Sequence, residues 1–114
     1  MKHLDIVVVK IDNTFINALN EGCPMLKYLK LYCQNKEFVL HFSLNFLFLE
    51  TASIEIPTTV EISIKCPMLS MLKLHTVCYR LDIESEKLKT LELPSIRTAL
   101  MLKCPNLTSV STKA

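Results

Sequence analysis

The sequence predicts an α/β solenoid: a parallel sheet of stacked short repeats on the concave face, short return strands and turns, and one short N-terminal helix. Three observations carry this. The stretch Cys23-Pro-Met-Leu-Lys-Tyr-Leu-Lys-Leu31 recurs nearly unchanged as Cys66-Pro-Met-Leu-Ser-Met-Leu-Lys-Leu74. A second apolar beat follows each copy. Only the segment 13–22 has helical spacing.

The sheet strands come first. The frame L-x-x-L-x-L places Leu26, Leu29 and Leu31 in register with Leu44, Leu47 and Leu49, with Leu69, Leu72 and Leu74, and with Leu88, Leu91 and Leu93. Met1, Leu4 and Ile6 open the series, and Leu107 and Val110 close it. The first positions are 25, 18, 25, 19 and 19 residues apart. That frame is the signature of a leucine-rich repeat, whose period of about 20–29 residues fits two of these spacings while three run slightly short. Within it, L-x-L is a strand signal, because alternate side chains share a face. One such strand cannot bury its apolar side alone, so the copies must stack with the leucines inward.

The return side follows. Phe38 and Leu40, Leu81 and Ile83, and Leu100 and Leu102 lie seven and nine residues after their triplets. Ile62 and Ile64 keep the beat six residues late, which reads Ile54-Glu-Ile-Pro-Thr-Thr59 as an insertion. Such short units leave no room for a full helix, so strand, turn or 3₁₀ pieces are expected. The first unit is longer. Asn13-Thr-Phe-Ile-Asn-Ala-Leu-Asn-Glu-Gly22 has a cap residue at Asn13, apolar Phe15, Ile16 and Leu19, and a Gly stop before Pro24.

Composition bounds the function. The 114 residues read as a single domain, 1–114, in the manner of a fragment that lacks complete caps. A net charge of +2 with scattered Lys and Arg does not point to nucleic acid. No apolar run is as long as a membrane span, and no signal peptide is visible. Five Cys, three of them at repeat positions, read as reduced thiols and place the chain in cytoplasm or nucleus.

Catalytic and metal chemistry find little support. Cys23, Cys66 and Cys104 share the position before Pro, which Ser85 and His41 fill elsewhere. A metal ligand would not tolerate that exchange, whereas a small side chain in a buried corner would. Cys33 and Cys78 share no repeat position. His75 and Cys78 lie close in sequence but form no nucleophile–base–acid set. A single Gly cannot build a phosphate-cradling loop. We expect neither enzyme nor cofactor.

The residues between the leucines face outward and form the candidate partner-binding surface: Tyr28, Lys30, Tyr32, Phe46, Phe48, Met71, Lys73 and His75. Exposed aromatic patches flanked by charge mark protein interaction sites. Two readings of Phe46 and Phe48 stand side by side, because 42–49 is almost continuously apolar and would also suit a core.

The motifs Leu19-Asn-Glu-Gly-Cys-Pro-Met-Leu26, Cys66-Pro-Met-Leu69, Ser85-Glu-Lys-Leu-Lys-Thr-Leu91 and Cys104-Pro-Asn-Leu107 resemble the leucine-rich-repeat part of plant-type F-box proteins. That resemblance implies a substrate-recognition module of a ubiquitin ligase, binding an unknown protein. The F-box itself is missing from these residues, so the ligase adaptor would join only if an F-box lies upstream. The chain then reads as a fragment, a truncated paralogue or a mispredicted gene product. A second departure is the repeat Cys or Asn three residues after the triplet, replaced by Gln34, Ala52, Val77 and Ile96. A generic leucine-rich-repeat scaffold unrelated to ubiquitin is the alternative.

Overall fold

The computed structural model describes residues 2–8, 13–33, 39–56, 59–75, 78–93 and 99–112. Met1, Gln34, Phe38, Val77 and Ile96, named above, lie outside the described residues, as does Pro94.

Two parallel sheets face each other. Strands β1 (His3–Val8), β2 (Tyr28–Cys33), β4 (Thr51–Glu55), β6 (Met71–Leu74), β8 (Thr90–Leu93) and β10 (Ser109–Thr112) form one, in that order. Strands β3 (Val39–Leu44), β5 (Thr59–Lys65), β7 (Cys78–Glu84) and β9 (Ala99–Lys103) form the other. The chain alternates between them, so it is a parallel β-solenoid. Its one described helix, α1 (Asn13–Gly22), takes the return position of the first coil and packs against β3. Ile16 is buried, with Phe15 and Leu19 packed against the core. The helix matches the span expected from spacing. It ends where Pro24 could not donate the next hydrogen bond. No helix among the described residues is long and apolar enough to cross a membrane.

The core lies between the sheets. Leu29, Leu31, Leu72, Leu74, Leu91 and Leu93 are buried from one side, and Leu44, Ile62, Ile64, Leu81 and Ile83 from the other. Each fully buried Leu or Ile contributes about 1.5–3 kcal/mol relative to exposure.

The corners repeat as faithfully as the strands. Leu26, Leu69 and Leu107 each donate their N–H to the carbonyl three residues back, on Cys23, Cys66 and Cys104, at 3.1–3.2 Å. Each Cys-Pro-x-Leu is therefore a β-turn with Pro at its second position, where the ring presets φ. No described residue has positive φ, which makes these type I rather than type II turns. The residue after each corner Leu is tied to the coil before it. The carbonyls of Lys2, Lys27, Glu50, Ser70 and Lys89 each accept two N–H groups of the following coil.

This column fixes the register of the second unit and corrects the sequence reading there. Glu50, not a residue near 45, follows the corner Leu, so the inward positions of that coil are Leu49, Ala52 and Ile54. Leu44 belongs to the return strand, paired with Ile64, and Phe42 pairs with Ile62. Leu47 is 64% exposed rather than in the ladder. In register with Ile62 and Ile64, the return positions of the preceding unit are thus 42 and 44. The main extra length lies between Cys33 and Val39, and Ile54 and Glu55 are part of β4 rather than of an insertion. Corner leucines 26, 49, 69, 88 and 107 are then 23, 20, 19 and 19 residues apart.

Candidate functional site: the outer face of the six-stranded sheet

Alternation along each strand of this sheet sends one set of side chains to the core and the other to solvent; β2 and β6 show it directly. Register then sorts the outward residues into three rows. The first holds His3, Tyr28, Thr51, Met71, Thr90 and Ser109; the second Asp5, Lys30, Ser53, Lys73, Glu92 and Ser111. The third holds Val7, Tyr32 and Glu55, and His75 extends it, its N–H donating to the Ile54 carbonyl at 2.8 Å.

Six of the eight expected surface residues therefore share this face: Tyr28, Lys30, Tyr32, Met71, Lys73 and His75. They stand on two rows of side chains, over β2 and over β6. Phe46 and Phe48 are set apart from it. Phe46 is 2% exposed, at the coil corner, in the position that Cys66, Ser85 and Cys104 fill in later coils. Phe48 is 40% exposed on that same corner, beside Leu47. The two readings of this pair thus divide: Phe46 is core, and Phe48 is surface but not sheet surface. The missed residues are Thr51, Ser53 and Glu55, which occupy the face between the two rows. Their signal was present as alternation in Thr51-Ala-Ser-Ile-Glu-Ile56, with polar and apolar residues taking turns.

The face is ordered by contacts between coils. The rings of His3 and Tyr28 stack at 4.3 Å with a 9° interplanar angle. His75 Nε2 lies 3.1 Å from Glu92 Oε2, and Lys27 Nζ lies 3.9 Å from Glu50 Oε2. Lys30 and Lys73 are exposed, and neither forms an ion pair among the described residues. Tyr32 and Met71 add exposed apolar area.

The corner thiols are a contrast. Burial pushes the Cys66 thiol up to about 11, against a weaker opposing hydrogen bond from the Phe46 backbone. Burial also raises Cys104, opposed by the Ser85 backbone. Thiols held protonated are poor nucleophiles and poor ligands. Cys33 and the start of β7 at Cys78 lie on opposite sheets.

Comparison with protein-family models, with characterised proteins and with solved structures finds no match.

Proposed function

We propose that the chain is a protein-interaction module of the leucine-rich-repeat kind, binding its partner through the outer face of the six-stranded sheet. The observation that carries this is the gathering of Tyr28, Lys30, Tyr32, Met71, Lys73 and His75 on one rigid strand array. Aromatic anchors beside unpaired charge are what protein recognition uses. We further propose substrate recognition for an F-box-type ubiquitin ligase in cytoplasm or nucleus. Its support is the resemblance of the Gly-Cys-Pro turn and the later Cys-Pro-x-Leu corners, together with buried thiols suited to a reducing compartment. The ligase adaptor would join through an F-box accompanying these repeats.

Affinity capture from cells with wild-type chain and with Tyr32→Ala tests the first part. A partner lost with Tyr32→Ala supports it. A partner retained by that variant but lost when Phe48 on the corner is changed overturns it. The ligase part is supported if the captured protein is ubiquitinated in proportion to expression of the chain. Capture without ubiquitination leaves the generic scaffold, to which the same face is equally suited.

A further inference from the structure

The coil between the two rows of large side chains is low. Along β4 the outward residues are Thr51, Ser53 and Glu55, and the first two are half-buried between taller neighbours. Tyr28, Lys30 and Tyr32 stand on one side and Met71, Lys73 and His75 on the other. Strands lie about 4.8 Å apart, so these two walls are separated by about 9–10 Å. That is a trough along β4, wide enough for one extended chain.

Its chemistry changes along its length in three steps. Over Thr51 the walls are Tyr28 and Met71, an apolar position. Over Ser53 the walls are Lys30 and Lys73, two exposed ammonium groups with no ion pair among the described residues. Over Glu55 the walls are Tyr32 and His75, and the floor itself is a carboxylate. His75 is already turned to Glu92, leaving the Glu55 charge to dominate that end. Thr51, Ser53 and Glu55 are two residues apart, about 6.6–6.8 Å per step. An extended peptide repeats its same-side chains at that spacing.

We infer that this trough binds an extended peptide segment of alternating pattern: an apolar side chain at Thr51, an acidic one between Lys30 and Lys73, a basic one at Glu55. This rests on the interaction-module reading above and adds the chemistry of the partner. The carboxylate of the peptide would be held by two ammonium groups, and the basic residue two positions on by Glu55. The two opposite charges set the register, and the apolar position at Thr51 sets the direction, because a reversed peptide that keeps its acidic residue between the lysines carries its basic residue onto Tyr28 and Met71 and its apolar one onto Glu55.

The test uses fluorescence anisotropy at low salt. The probes are a fluorescein-labelled peptide Ser-Leu-Ser-Glu-Ser-Lys-Ser and its twin with Glu and Lys exchanged. Wild-type chain should bind the first at least about tenfold more tightly. The triple variant Lys30→Glu, Lys73→Glu, Glu55→Lys should invert that preference, with an unchanged circular dichroism spectrum. Equal affinity for the twins, no inversion, or no binding of either below about 1 mM would overturn the inference. Failure is separable from failure of the broader reading. A cellular partner lost with Tyr32→Ala but indifferent to Lys30→Glu and Lys73→Glu keeps the interaction face and removes the acidic-peptide trough. A partner indifferent to all of them removes both.

Discussion

Ser85 Oγ donates a 2.8 Å hydrogen bond to the Leu69 carbonyl, and both groups are buried. In the neighbouring coils a thiol does comparable work over a longer reach: Cys66 Sγ to the Leu44 carbonyl at 3.8 Å, and Cys104 Sγ to the Ile83 carbonyl at 3.7 Å. In these three coils the corner therefore holds a small side chain that donates to the coil before it, whereas Phe46 fills the same position with apolar volume alone. Ser85→Ala removes the donor from the buried Leu69 carbonyl and should cost about 1–3 kcal/mol. Ser85→Cys, which restores the side chain of the other corners, should cost less. Urea unfolding of both variants gives the order, and an Ala variant as stable as the Cys variant would count against a role for the bond.

The buried Cys66 thiol makes stability depend on alkaline pH. Its folded value, about 11, lies above the ordinary 9.0, so the folded state holds the proton more tightly than the unfolded chain. The contribution is complete below pH 9 and is lost as pH rises toward 11. Its size is on the order of 3 kcal/mol. Lys and Tyr titrate in the same range, so the measurement is the difference between wild type and Cys66→Ala. That difference should shrink between pH 9 and pH 11. A constant difference would mean that the thiol is not shielded.

Phe46 and Phe48, two residues apart, should respond oppositely to truncation. Phe46→Ala empties a buried corner and should cost about 3–5 kcal/mol, comparable to about 2–5 kcal/mol for Leu72→Ala. Phe48→Ala removes a side chain already 40% exposed and should stay within about 1 kcal/mol. Thermal melts of the three variants settle the ranking. Phe48→Ala melting as low as Leu72→Ala would place Phe48 in the core.

These two residues also show where the sequence was legible and where it was not. The ladders over Leu29, Leu72 and Leu91, the helix at 13–22 and the Cys-Pro corners could be read directly, because each pairs a periodicity with a turn residue. The coil through Thr51 could not. It carries Ala52 where its neighbours carry Leu, and Phe46 where they carry Cys or Ser. Meanwhile the apolar run 42–49 offers a false match at Leu44, Leu47 and Leu49. Apolar identity alone cannot separate a buried return strand plus corner from a ladder strand. What decides is hydrogen bonding between coils, where Glu50 accepts from Ser70 and Met71. The same misplacement moved Phe46 and Phe48 onto the sheet face and hid Thr51, Ser53 and Glu55 from it.

Stability along the solenoid should be graded. Repeat arrays hold each coil by its neighbours, so a coil with one neighbour is weaker than a coil with two. The described structure shows the gradient in its burial. Ala52, Leu72 and Leu91 are fully buried in the middle of the sheet. Val110, in register with Leu91, is 52% exposed, and every residue of β10 is exposed. Leu102 and Leu107 are only half-buried beside it. At the other end Leu4 and Ile6 are half-buried, but α1 adds Phe15, Ile16 and Leu19 to the core there. Amide hydrogen exchange should therefore be fastest in β9 and β10, intermediate in β1, and slowest in β4 to β6. An uncharged edge strand such as Ser109–Thr112, with an exposed Val, also invites pairing with another chain. Val110→Lys should lower self-association in light scattering while changing the melting temperature little. Uniform protection across all strands, or self-association indifferent to Val110→Lys, would show that the β10 end is held as firmly as the middle.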